Sequence, residues 1–111
     1  MIYKESNELK KSLKFWYRLP GHYHGSENYS VFAPRLEIIN YYMEELRKYG
    51  WEFIAEEDNV EKSNGKKVEE KYIFRNGTYE LQISFPVETT INFSGVVYEK
   101  SYYIIVFPID R

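Results

Sequence analysis

Between Ala33 and Gly50 the apolar residues recur at intervals of three and four: Leu36, Ile39, Met43 and Leu46, with Ile38, Tyr42 and Tyr49 widening the stripe. That spacing predicts one amphipathic helix. Pro34 suits its first position and Gly50 the residue just past its end. Arg47 and Lys48 in the last turn complement the negative pole of the helix dipole.

Beyond Trp51 the period changes from 3.6 to 2. The runs "WEFIAEEDNVEK" and "KVEEKYIFR" flank Ser63-Asn64-Gly65-Lys66, and "KYIFR" and "TYELQISF" flank Asn76-Gly77. Asn-Gly is the favoured pair of a two-residue hairpin turn, so two antiparallel hairpins are predicted. Pairing across Asn76-Gly77 sets Phe74 opposite Tyr79, Tyr72 opposite Leu81 and Val68 opposite Phe85. Pairing across Asn64-Gly65 sets Ala55 opposite Phe74, with Phe53 and Trp51 further along the same face. Thr78, Glu80, Gln82 and Ser84 then point the other way, and Glu57 and Glu70 intrude at the rim.

A last pair, "TTINFSGVVYE" and "SYYIIVFPI", is expected to close over Glu99-Lys100-Ser101, with a bulge or bend at Gly95. The final strand is apolar on both faces, Tyr102, Ile104 and Val106 against Tyr103, Ile105 and Phe107. It is therefore central, covered on both sides, or buried against another chain. Near the start, "SLKFWYRLP" alternates Leu13, Phe15, Tyr17 and Leu19 with Lys14 and Arg18. Its aromatic content favours a strand over the helix that Leu9, Leu13 and Trp16 would also allow. Pro20 to Ala33 reads as a long loop.

The expected architecture is a single α+β domain over residues 1–111. One helix packs on a curved, roll-like antiparallel sheet of about five to six strands, in the order β-α-β-β-β-β-β. In element order alone this is similar to the cystatin-like roll, and a likeness of order carries no function.

Composition narrows the classes. In 111 residues there is no cysteine, which removes disulfides, thiol catalysis and cysteine-based zinc sites. A net charge of −2 argues against a dedicated nucleic-acid binder. The polar N-terminus is no signal peptide, and no apolar run approaches the roughly 20 residues that span a bilayer. The expected setting is cytoplasmic and away from membranes. Twelve tyrosines and 19% aromatic content suit both strands and interfaces, although AT-rich codon usage produces the same bias.

The candidate chemistry lies in "PGHYHGSENYS", which holds both histidines, His22 and His24. With Glu27 they would make two nitrogens and one carboxylate for a metal, and as an acid–base pair they would titrate near neutrality. No third histidine, clustered cation or marked nucleophile supports them. The reading taken is a surface loop in which they are incidental, with no cofactor. Glu56-Glu57-Asp58 reads as a solvated strand end, since neighbours on a strand face opposite ways.

The function expected is that of a small non-enzymatic protein acting by stoichiometric contact with a macromolecular partner, of an inhibitor, immunity or mobile-element accessory type. Trp16, Tyr23, Tyr29 and Phe32 are the expected contact residues, and the acidic balance suits a basic protein partner. A homodimer through the last strand is a separate expectation. The alternatives are a small-molecule or nucleotide binder with an aromatic-lined pocket and an enzyme using His22 and His24.

Overall fold

The helix forms where its apolar spacing requires, over Arg35–Lys48 (α1). In the computed structural model, which describes residues 25–109, it follows strand β1 (Gly25–Pro34) and precedes five strands. These are β2 (Glu52–Val60), β3 (Lys67–Asn76), β4 (Tyr79–Pro86), β5 (Thr90–Phe93) and β6 (Val96–Pro108), with a 3-10 turn over Val87–Thr89. All pairings are antiparallel in one open sheet ordered β1-β6-β4-β3-β2, and β5 pairs with the start of β6. The molecule is thus α+β, one helix on one antiparallel sheet, as expected, and the strand before the helix falls in a segment expected to be loop.

The helix ends in a Schellman motif: Gly50 N–H donates to Arg47 O at 3.1 Å and Trp51 N–H to Leu46 O at 3.0 Å. Gly50 has φ 91, and a Cβ built there would lie 3.3 Å from Asn76 Nδ2, which itself donates to Tyr49 O. Gly50→Ala should therefore cost about 1–2 kcal/mol, from the left-handed backbone plus the displaced amide. Equilibrium urea unfolding measures it, and a neutral result would contradict this account of the turn.

Ile38, Ile39, Tyr42 and Leu46 press on Phe74, Leu81, Ile83, Phe85, Tyr102, Ile104 and Val106. The buried stripe lies slightly round from the expected one. Pro34 caps the helix without being part of it, and Leu36 is 70% exposed. Arg35 takes the place expected for Leu36, three residues before Ile38 and seven before Tyr42, so its side chain points down onto the sheet.

Four expectations about the sheet need correction. Residues 25–33 are not loop but most of β1, which pairs with β6 and bulges where Val31 and Phe32 oppose Lys100. Its Gly, Ser and Asn residues look like breakers, but an edge strand takes its order from the neighbour's ladder. The β3–β4 turn is Gly77-Thr78, not Asn76-Gly77: Asn76 pairs with Tyr79, Phe74 with Leu81, Tyr72 with Ile83 and Glu70 with Phe85. The slip is two residues, so every side chain keeps its expected face. Across β2 and β3, Phe53 pairs with Phe74 and Ala55 with Ile73, because bulges near Ile54 and Asn59 shift the ladder and the connection spans residues 61–66. Finally, Glu99-Lys100-Ser101 is not a turn. The chain reverses at Ser94-Gly95, φ 54 and 80, as a two-residue turn with both central residues left-handed, and β6 then runs unbroken for 13 residues.

β6 is central, between β1 and β4. Tyr102, Ile104 and Val106 are buried beneath the helix, while Tyr103, Ile105 and Phe107 on the opposite face are half-buried. The strand expected over residues 12–20 lies outside the described residues. Among those described, no helix is long and apolar enough to cross a membrane.

Candidate functional sites

Two of the four expected contact residues are described. Trp16 and Tyr23 lie outside the described residues, as do His22 and His24. Glu27 sits on β1 opposite Ile104. Tyr29 faces inward at 6% exposure, its ring stacked on Tyr102 at 5.1 Å, so it belongs to the core. Phe32 is 62% exposed and lies flat on Tyr98, ring centroids 5.1 Å apart and planes 9° from parallel.

Phe32 has company that the sequence did not reveal. Thr90 and Glu99 are paired across β5 and β6 and bond to each other on the helix side. Strand alternation then turns their neighbours Ile91 and Tyr98 to the opposite face, together with the next facing pair on that side, Phe93 and Val96. Phe93 is 67% exposed, Val96 42% and Ile91 37%. With the Phe32–Tyr98 stack they form one apolar surface at the β1–β6–β5 corner. The signal was present as Ile91-x-Phe93 and Val96-x-Tyr98, and it becomes readable once the turn is placed at Ser94-Gly95.

The helix side of the same corner is ionic. Arg35 Nε donates to Glu99 Oε2 at 2.6 Å, its other arm donates to Glu70, and Thr90 Oγ1 donates to Glu99 Oε1 at 2.6 Å. Lys67 Nζ donates to the second oxygen of Glu70 at 2.5 Å. The guanidinium lies 4.9 Å above the Phe85 ring. Burial pushes the fully enclosed Glu99 carboxyl up, against the opposing pull of Thr90 and Arg35. Lys67 and Arg35 hold Glu70 below the usual carboxylate range. Burial works against the charge of Arg35 too, but its bonds to Glu70 and Glu99 more than compensate and keep it cationic. A recess of about 240 Å³ opens beside Arg35, Lys67 and Thr90. Two carboxyls shifted in opposite directions resemble an acid–base pair. Here, however, the raised one is sealed and both are engaged by the same arginine. The cluster instead ties the start of α1 to β3, β5 and β6.

A third feature lies at the other end of the helix. α1 covers the middle of the sheet and leaves the inner face of β2 open, forming a groove of about 490 Å³. Trp51, Phe53 and Phe74 floor it, and Asn40, Met43, Glu44 and Arg47 wall it. Phe53 is 40% exposed although its ring meets that of Phe74 edge-on at 5.5 Å. Trp51 is only 5% exposed, and its buried Nε1–H has no acceptor among the described residues.

Among the described residues no group of three or more His, Asp or Glu side chains is placed to hold a metal ion. Glu56 and Asp58 share the helix-side face of β2 and Glu57 takes the other; the bulge at Ile54 thus reverses the expectation that Glu57 intrudes on the core side. No protein-family model, no curated protein and no solved structure matches the chain.

Proposed function

We propose that this is a small non-enzymatic binding protein that forms a stoichiometric complex with another protein through the apolar corner built on Phe32, Tyr98, Ile91, Phe93 and Val96. The observation that carries the reading is the contiguity of this surface. Single exposed apolar residues are ordinary, whereas a joined set with two exposed phenylalanines marks a contact site. Aromatic anchors supply large area at small entropic cost and dominate interface energetics. The net charge of −2 favours a basic protein over nucleic acid as the partner, met in the cytoplasm.

The test is the double variant Phe32→Ser with Phe93→Ser. Both side chains are mostly exposed, so the fold should lose no more than about 1 kcal/mol. The wild type should capture from its native host a partner that reforms a complex of fixed stoichiometry after purification, and the double variant should bind it at least about tenfold more weakly. Association should slow with added salt if the basic-partner element is right. Equal binding by the variant overturns the surface. A wild-type homodimer that the variant abolishes in light scattering would replace the foreign partner by a second copy.

A further inference from the structure

We infer that the edge of β2 left unpaired among the described residues, with the groove behind it, takes an extended basic segment of a partner protein by strand addition, one apolar side chain of that segment entering the groove. Three observations converge. β2 ends the sheet order and pairs only with β3 among the described residues, and all its residues except the half-buried Ala55 are exposed. An edge of nine residues with exposed Phe53, Ile54 and Val60 is a template for a further strand.

Charge then selects the occupant. β2 carries Glu52, Glu56, Glu57 and Asp58 and no lysine or arginine. A second copy added along this edge would set a strand whose only charges are acidic against itself, which disfavours self-pairing. A basic strand meets the opposite situation. On β3, Arg75 and Lys71 stand opposite Glu52 and Glu57, but the two acids of the other face are less well neutralised: Glu56 meets the neutral Tyr72 hydroxyl, and Asp58 has Lys67 at 3.7 Å, an ammonium held closer by Glu70, at 2.5 Å.

Register supplies the spacing. Phe74, Tyr72 and Glu70 alternate along the helix-side face of β3, so their partners Phe53, Glu56 and Asp58 share that face of β2, the bulge at Ile54 absorbing the odd residue. An antiparallel segment would then read basic-x-basic-x-apolar. The basic pair meets Asp58 and Glu56, and the apolar side chain lies over Phe53 in the groove.

The probe is a fluorescein-labelled peptide, Thr-Lys-Thr-Lys-Thr-Phe-Thr-Ser, titrated into the full chain by anisotropy. A Glu-for-Lys version tests charge, and a version with proline for the middle threonines tests strand addition at unchanged charge. The expected result is saturable binding that weakens in high salt. It should fall at least about tenfold for the proline peptide, for Glu56→Lys with Asp58→Lys, and for Phe53→Ser. All three protein positions are exposed, and an unchanged thermal melt establishes that each variant is folded. The Phe32→Ser, Phe93→Ser variant should bind the peptide as the wild type does, so this site and the apolar corner stand or fall separately. No saturation by about 1 mM peptide, equal binding of the acidic or proline peptide, or an unaffected Glu56→Lys, Asp58→Lys variant would overturn the inference.

Discussion

Arg35→Leu is expected to destabilise the protein by about 3–5 kcal/mol near neutral pH, the usual cost of removing one partner from a buried ion pair. Glu99 is fully enclosed, and without Arg35 only Thr90 is left to hold its carboxylate. The deficit should depend on pH with a definite sign. Burial already raises the Glu99 carboxyl, and losing the guanidinium raises it further. A carboxyl raised in the folded state stabilises fully below its unfolded value, about 4.3, and that stabilisation is lost as pH rises through the folded value. The Arg35→Leu deficit should therefore be larger at pH 7.5 than at pH 5.5. Glu70 works in the opposite sense: its depressed carboxyl stabilises above the unfolded value, and this is lost as pH falls through the folded value. Lys67 preserves part of that effect in the variant. Urea unfolding at the two pH values decides the matter, and a deficit below about 1 kcal/mol, or one that grows in acid, would refute the assignment. Adding Glu99→Leu to Arg35→Leu should recover part of the loss, because the stranded carboxylate is removed with its partner.

Phe85→Ala should be comparably severe, about 3–5 kcal/mol. Phe85 is fully buried on β4, with the Tyr72 ring edge-on at 5.8 Å and the Tyr102 ring at 5.7 Å. It is also the surface over which Arg35 lies. Truncation thus opens a cavity in the aromatic row and removes a cation–π contact worth about 0.5–2 kcal/mol. Against a typical domain stability of about 5–15 kcal/mol, the variant would lose about a fifth or more of its margin. Phe85→Leu should return most of the volume but not the ring contacts, and so fall between. Circular dichroism through a urea titration measures both. A Phe85→Ala loss below about 1.5 kcal/mol would mean that the core closes over the gap.

Glu99 illustrates why the site was harder to read than the fold. In the sequence Glu99 opens a polar triplet, Glu99-Lys100-Ser101, and polar triplets between apolar runs ordinarily mark turns. Nothing local distinguishes a glutamate at a turn from one buried in a strand. What decides is Arg35, 64 residues away in sequence, arriving on the first turn of α1. Once Glu99 is in the strand, the reversal moves to Ser94-Gly95 and the corner carrying Phe93 and Tyr98 becomes visible. Tyr29 went astray for a related reason. Its neighbours are loop formers, and only pairing with Tyr102 on a central strand buries it.

Taken by itself, the sequence determined the helix, the switch to period two after Trp51, the α+β class and the face each side chain of β3 and β4 presents. These are properties of short segments, and face assignment survives a two-residue slip because side-chain parity repeats every two residues. Tertiary structure decided the registers, the bulges, the strand identity of residues 25–33, the burial of Glu99 and the place of β2 at the end of the described sheet. Each of these depends on which distant strand lies alongside, and a ladder partner or an ion pair is chosen by the energy of the whole assembled sheet.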